Sequence, residues 1–214
     1  MASTAFAQTA TTLNGPSDAV SNPPVNASAA DHILPSGNTI SLKIAAASTS
    51  SDVIYQWYKL DNTGTKRLVQ SSSSATLSES PSGTGYYIYQ LVVSNSNQCS
   101  SEISDPFKVY VLPPLSPTIA ASSGTVCSNG TTTALLTANP GNDKFSYQYQ
   151  WILNGNSIPG ATASTYTTAA NVPGGDNTYT VKVAYALSSS TTATANRVIK
   201  AVPVPNKPTV SIGQ

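Results

Sequence analysis

The scarcest reactive side chains in this chain are one histidine and two cysteines. His32 stands in a polar stretch with no Cys or carboxylate at ligand spacing, so it reads as a surface histidine. A single histidine rules out a two-histidine zinc site within one chain. It also leaves a serine triad dependent on a distant serine, with no Gly-flanked nucleophile elbow in sight. The nine acids are dispersed: Glu102 and Asp105 are nearest to a pair on one strand, and Glu79 stands alone in a turn. Solvated surface charge explains them better than the paired acids of a glycosidase. Asp61-Asn62 and Asp176-Asn177 fall in predicted turns where oxygen ligands for calcium would gather, although ordinary turn chemistry accounts for them better. Tyr58, Tyr86 and Tyr110 at outward strand positions offer either a sugar-stacking platform or cross-strand partners. The expectation is no catalytic residue, no metal site and no cofactor.

The framework that must carry these side chains is organised around two copies of one stretch, Ile54-Tyr55-Gln56-Trp57-Tyr58 and Tyr149-Gln150-Trp151-Ile152-Leu153. They hold the only tryptophans. One Trp at the centre of a strand in each unit of about 90 residues is how a small sandwich fills the space between its sheets, so Trp57 and Trp151 read as core pins. Charged residues are 9% of the chain, against about 25% in an ordinary globular domain, and Ser, Thr, Ala, Asn and Gly are abundant. That is the composition of an exported repeat protein, extracellular or at the cell surface. The formal charge of +1 is spread over 10 basic and 9 acidic residues, with no basic stripe for nucleic acid. No apolar run approaches the roughly 20 residues of a spanning helix.

Alternation at period two marks the strands. In the first half they are Thr39–Ile44, with Ile40, Leu42 and Ile44 inward, then Val53–Leu60, Arg67–Val69, Ala75–Leu77, a run placing Tyr87, Tyr89, Leu91 and Val93 on one face, and Phe107–Val111. In the second half they are Ala134–Thr137, Phe145–Leu153 followed by the turn Asn154-Gly155, Thr165–Thr167, a run with Tyr179, Val181 and Val183 inward after Gly174-Gly175-Asp176-Asn177, and Thr192–Ala201. The expected organisation is a flexible arm over 1–26, a first domain over 27–112, a second over 113–203, and 204–214 as a linker plus one strand. Within the arm, Ala5-Phe6-Ala7 before Gln8 has the small-x-small form of a signal-peptidase site without its charged and apolar regions. It is either a trimmed signal stub or an ordinary disordered start.

Gln-Trp on the third strand, a polar turn after it, and a Gly-rich turn leading into Tyr-x-Leu/Val resemble an immunoglobulin-like sandwich. Val126-Cys127-Ser128-Asn129-Gly130 followed by a Thr-rich strand and Tyr-x-Trp is more particularly similar to the Ig-like and PKD-like repeats of large secreted bacterial surface proteins, adhesins and filaments, including those exported by the type IX route. The resemblance implies an all-β chain of two tandem immunoglobulin-like sandwiches, with Tyr89 and Tyr179 in the place of the tyrosine corner. Leu42 and Leu91, or Leu135 and Val181, would stand where an antibody domain has its disulfide. Such repeats share no catalytic residues, so the implied role is structural, in a rod; the alternative is a module that grips a glycan or a surface protein.

Pro-rich segments join the parts. Pro113, Pro114 and Pro117 favour an extended linker, giving a rod of roughly 80 Å from two domains with strands of about ten residues. Val204–Gly213 repeats the form of Pro114–Ser122, so Thr209, Val210, Ser211 and Ile212 are either the first strand of a further domain in a longer array or a donor strand for a neighbouring molecule. Cys127 precedes the second strand of the second domain, where the first has Leu34, and Cys99 follows the sixth strand of the first, where the second has Ser188 or a neighbour. They are expected at opposite ends, so they are either the two halves of a disulfide between consecutive molecules or two unpaired thiols. The partners expected are further copies joined head to tail, or further immunoglobulin-like domains.

Overall fold

The computed structural model describes residues 15–17, 23–45, 52–95, 97, 99–128, 130–210 and 212, which divide between two compact units, Met1–Pro114 and Leu115–Gln214. Unit 1 contains β1 (His32–Leu34), β2 (Ile40–Lys43), β3 (Val53–Leu60), β4 (Lys66–Ser72), β5 (Thr76–Glu79), β6 (Gly85–Asn95) and β7 (Phe107–Val111). Its larger sheet has the order β1-β7-β6-β3-β4, antiparallel except for β1 beside β7; β2 and β5 form the facing sheet. Unit 2 contains β8 (Thr118–Ala121), β9 (Thr125–Cys127), β10 (Leu135–Asn139), β11 (Tyr147–Leu153), β12 (Asn156–Ser157), β13 (Thr165–Thr167), β14 (Gly175–Tyr185) and β15 (Ser188–Val202). Its sheets run β12-β11-β14-β15-β9 and β13-β10-β8, with β9 parallel to β15. This is the strand order of an immunoglobulin-like sandwich, drawn twice in tandem: the second and fifth strands of the fold in one sheet, the third, sixth and seventh in the other.

Alternation explains both cores. β3 turns Val53, Tyr55, Trp57 and Lys59 inward, and β14 turns Asn177, Tyr179, Val181 and Val183 inward. Each Trp faces an aliphatic residue across the sheet, Trp57 opposite Leu91 and Trp151 opposite Val181. After β11 the chain reverses through Asn154 (φ 48°) and Gly155 (φ 85°), the two left-handed residues that a two-residue hairpin of the I′ type needs.

The paired registers align the units residue by residue. Trp57 corresponds to Trp151, Tyr89 to Tyr179, Tyr87 to Asn177 and Gly85 to Gly175, both glycines having positive φ. Opposite Gly85 lies Val111, beside Leu34; opposite Gly175 lies Ala201, beside Val126. Leu34 therefore corresponds to Val126, and the counterpart of Cys127 is Pro35 instead of Leu34.

The structure departs from the sequence expectation at four further places. Leu136 is 0% exposed and Leu135 47%, so Leu136, not Leu135, shares the core with Val181; strand parity, which two adjacent leucines leave ambiguous, is set by Ala134 and Ala138 facing the same way. Asp176 and Asn177 lie within β14, paired with Lys200 and Ile199, and not in a turn before it. Glu102 and Asp105 share no strand, because 101–106 runs irregularly beside β6: Ser104 and Ser101 hydroxyls accept from Leu91 N and Val93 N at 2.9 and 3.0 Å in place of a regular ladder. The arm is not unpaired throughout. Ser17 N donates to Tyr86 O (2.7 Å), and its hydroxyl donates to Leu60 O (2.6 Å) and accepts from Ile88 N (3.0 Å), satisfying groups left over where β3 ends beside β6. Ala5-Phe6-Ala7 lies outside the described residues.

Candidate functional site

The two sandwiches differ at one edge. In unit 2, β8 pairs antiparallel with β10 and packs against β15, and Ile119 and Ala121 lie on the core. In unit 1 the corresponding residues are 26–29, and they do not form a strand. Ala27–Ala29 makes one turn of 3₁₀ helix, capped by Asn26, whose Oδ1 accepts from Ser28 N (3.1 Å) and the Ser28 hydroxyl (2.7 Å). Asn at the cap followed by Ala, Ser and Ala favours that turn over a ladder. The free side of β2 thus has no partner strand among the described residues. Beside it runs a groove of about 420 Å³ lined by Leu42, Ile44, Trp57, Leu91, Asp105 and Phe107 among others, continued by a space of about 280 Å³ between β2 and β7. Phe107 lines both and is 41% exposed. The site is an apolar slot between two sheets, flanked by a backbone edge that no described strand covers.

A second feature lies deeper in unit 1. The Lys59 side chain, wholly buried, donates from Nζ to Glu79 Oε1 and sits over the Tyr87 ring at 4.6 Å; Glu79 Oε2 accepts from Tyr89 Oη at 2.7 Å. Burial pulls the Lys59 amine below its ordinary range, against the opposing pull of Glu79. Burial first, and then the Glu79 charge, push the Tyr89 phenol well above its own. Glu79 is therefore no solvated turn acid: it lies on β5, two residues beyond buried Leu77 and facing the same way. Unit 2 has none of this. Leu153 and Thr168 occupy the places of Lys59 and Glu79, and the Tyr179 hydroxyl has no partner. The Lys59–Glu79 pair, with a phenol on its carboxylate and an aromatic face under its ammonium, lies within the core, where losing one partner costs more than replacing both.

No family model matches the sequence, and neither does any curated protein. Among solved structures the chain is similar to the fibronectin(III)-like modules of Clostridium thermocellum CbhA, at 16% identity over 85% of this chain and 96% of that one, TM-score 0.46. It is similar to the amphioxus IgVJ-C2 molecule at 14% identity over 78% of this chain and 99% of that one, TM-score 0.39. A third is the three N-terminal domains of the bacteriophage RB49 highly immunogenic outer capsid protein, at 20% identity over 79% of this chain and 56% of that one, TM-score 0.37. The assignment of the fold rests on the strand order and registers above.

The residues flagged in the sequence separate into several groups. Trp151, Tyr89 and Tyr179 are fully buried and Trp57 nearly so. Trp151 Nε1 donates to Ala163 O at 2.9 Å, whereas Trp57 Nε1 is buried without a partner. The tyrosine corner falls on Tyr87, not Tyr89: its hydroxyl donates to Gly83 O at 2.9 Å, four residues upstream. In unit 2 the same bridge is made not by Tyr179 but by Asn177, whose Nδ2 donates to Pro173 O at 2.8 Å. The tyrosine platform is not assembled: Tyr110 is only 3% exposed and packs edge to face on Tyr86 at 4.8 Å. Asp61 is used up by its own turn, accepting from Thr63 N, Thr63 Oγ1, Thr65 N and Arg67 Nε, which hold its carboxyl below the usual range. Among the described residues no three His, Cys, Asp or Glu side chains gather as metal ligands, and no helix is long and apolar enough to cross a membrane.

Cys99 is exposed and Cys127 half-buried, and neither is in a disulfide. Cys99 lies in the β6–β7 connection, at the pole of unit 1 away from the end of β7. Cys127 ends β9 beside Val202, at the pole where β15 leaves unit 2. Thr209, Val210 and Ile212 follow β15 without secondary structure, with Val210 97% and Ile212 96% exposed. The strand that unit 1 lacks among its described residues leaves no signal in the apolar runs. It was visible only as the poverty of 26–29 in β-branched residues.

Proposed function

We propose that this chain is a non-catalytic structural repeat of an extracellular bacterial assembly, of the adhesin or filament type, a rod-like pair of immunoglobulin-like modules that joins head to tail. One observation carries the reading. The Pro-Thr-apolar form that opens β8 directly after unit 1, Pro117-Thr118-Ile119, recurs after unit 2 as Pro208-Thr209-Val210, so the repeat is propagated by a junction of constant form. The placement of the cysteines supports a covalent version. In a head-to-tail rod Cys99 of one copy would approach Cys127 of the next, and the Thr132 and Thr131 hydroxyls hold the Cys127 thiol below its ordinary range.

The test is the mass of native material on electrophoresis with and without reductant. A ladder that collapses on reduction, and in Cys99→Ser, is the expected result. Free thiols at both positions in native material would overturn the disulfide and leave non-covalent joining alone.

A further inference from the structure

The free side of β2, which no described strand of unit 1 covers, has a template in unit 2. Aligning the registers puts Ile40, Leu42 and Ile44 at the positions of Ala134, Leu136 and Ala138, so the strand that β8 supplies beside β10 would lie on the free side of β2 and over the groove. Opposite Leu136 is Ala121, and opposite Ala138 is Ile119. The occupant required by unit 1 is therefore a short segment, extended by a preceding proline, with two inward apolar residues two apart and one small residue between them.

A stretch near the C-terminus has that form, and its described apolar residues, Val210 and Ile212, belong to neither core. Pro208-Thr209-Val210-Ser211-Ile212 matches Pro117-Thr118-Ile119-Ala120-Ala121 position for position, with the β-branched residues Val210 and Ile212 at the two inward places. Both are almost fully exposed, and with Val25 they are the most exposed large apolar side chains among the described residues. The groove and the strand complement each other in size as well. Where unit 2 sets Ala121 against Leu136, the chain offers Ile212 against Leu42, and the extra volume is what a slot of about 420 Å³ can take.

We propose that unit 1 is completed by residues 208–212 of a second copy of this chain, added antiparallel to β2 with Val210 opposite Ile44 and Ile212 opposite Leu42, both in the groove. This rests on the reading of the chain as a head-to-tail repeat and names the acceptor site for it. The register is specific. A slip by one residue would turn both apolar side chains to solvent and Thr209 and Ser211 into the slot.

The register also sets the test. In a Cys99→Ser, Cys127→Ser background, Lys43→Cys on one copy and Ser211→Cys on the other come directly opposite, within disulfide reach across an antiparallel pair. Mild oxidation of the mixed full-length proteins is expected to give a reducible dimer, and Leu42→Cys mixed with Ser211→Cys to give none. Sedimentation of the unmodified chain is expected to show association that weakens roughly tenfold or more with Val210→Asp and Ile212→Asp, substitutions outside both sandwiches whose folding is checked by melting. Equal cross-linking in both mixtures, or none, would overturn the pairing. A Lys43→Cys, Ser211→Cys double variant that closes only within itself on dilution would assign the slot to the same molecule and overturn the second copy. An elongated dilute monomer that fails these tests leaves the structural-repeat reading standing and removes only the strand addition.

Discussion

Lys59 and Glu79 show what a single pair of side chains does for unit 1. Glu79→Ala leaves a buried ammonium without its counter-ion, and it should cost unit 1 about 3–5 kcal/mol in urea unfolding. The double change Lys59→Leu with Glu79→Thr installs what unit 2 carries at those places and should recover most of the loss; a double variant as unstable as the single one would contradict this account of the pair. The tryptophans should differ from one another. Trp151→Phe strips Ala163 O of its donor, while Trp57 Nε1 has no partner to lose, so Trp151→Phe should be the costlier by about 1 kcal/mol. Tyrosine ionisation limits unit 2 at high pH. Tyr179 is pushed up to about 12, and Tyr147, Tyr149, Tyr166 and Tyr185 are raised as well, burial being the largest cause for each. Folded values above the unfolded value of about 10 give stability that is present below that pH and lost as pH rises through the folded values. Melting of unit 2 should therefore fall steadily from about pH 10 upward, and a melting temperature flat to pH 12 would be the contrary result. At this scale the sequence is half legible. The parity that turns Trp57 inward also turns Lys59 inward. A lone acid before a proline, however, reads as a turn, and only its pairing on β5 opposite Ile40 reveals Glu79 as a core residue.

Among the elements, alternation makes β3, β6, β11 and β14 legible, and Asn154-Gly155 fixes the hairpin between β11 and β12. It fails where parity is degenerate, at Leu135-Leu136, and where serine hydroxyls replace a ladder, at 101–106. The open edge of unit 1 is a competition between two local structures: a capped turn at 26–29 against a strand. Replacing Asn26-Ala27-Ser28-Ala29 with the β8 sequence Thr-Ile-Ala-Ala removes the cap and supplies an apolar strand of the right length. The expected outcome is a unit 1 that melts higher and a protein that no longer associates, because the slot is filled from within. Unchanged association in sedimentation would show that the slot is not where copies meet.

For the whole molecule, the two cores are separate clusters of buried residues, one around Trp57, Tyr87 and Tyr89 and one around Trp151, Tyr179 and Val181. Trp57→Ala and Trp151→Ala should each remove about 3–5 kcal/mol from its own unit and leave the melting of the other in place. Duplication of the sandwich was legible from the repeated Gln-Trp stretch, because a core of this size needs one large aromatic per unit; which unit has an edge that no described strand covers was not, because absence of a strand leaves no periodicity to read. The central claim, a structural repeat extended along its own axis, is tested most directly by small-angle scattering of the dilute monomer. Two sandwiches end to end, roughly 80 Å long, predict a radius of gyration of about 25 Å. A value near 17 Å, that of a single compact body of this length, would contradict it.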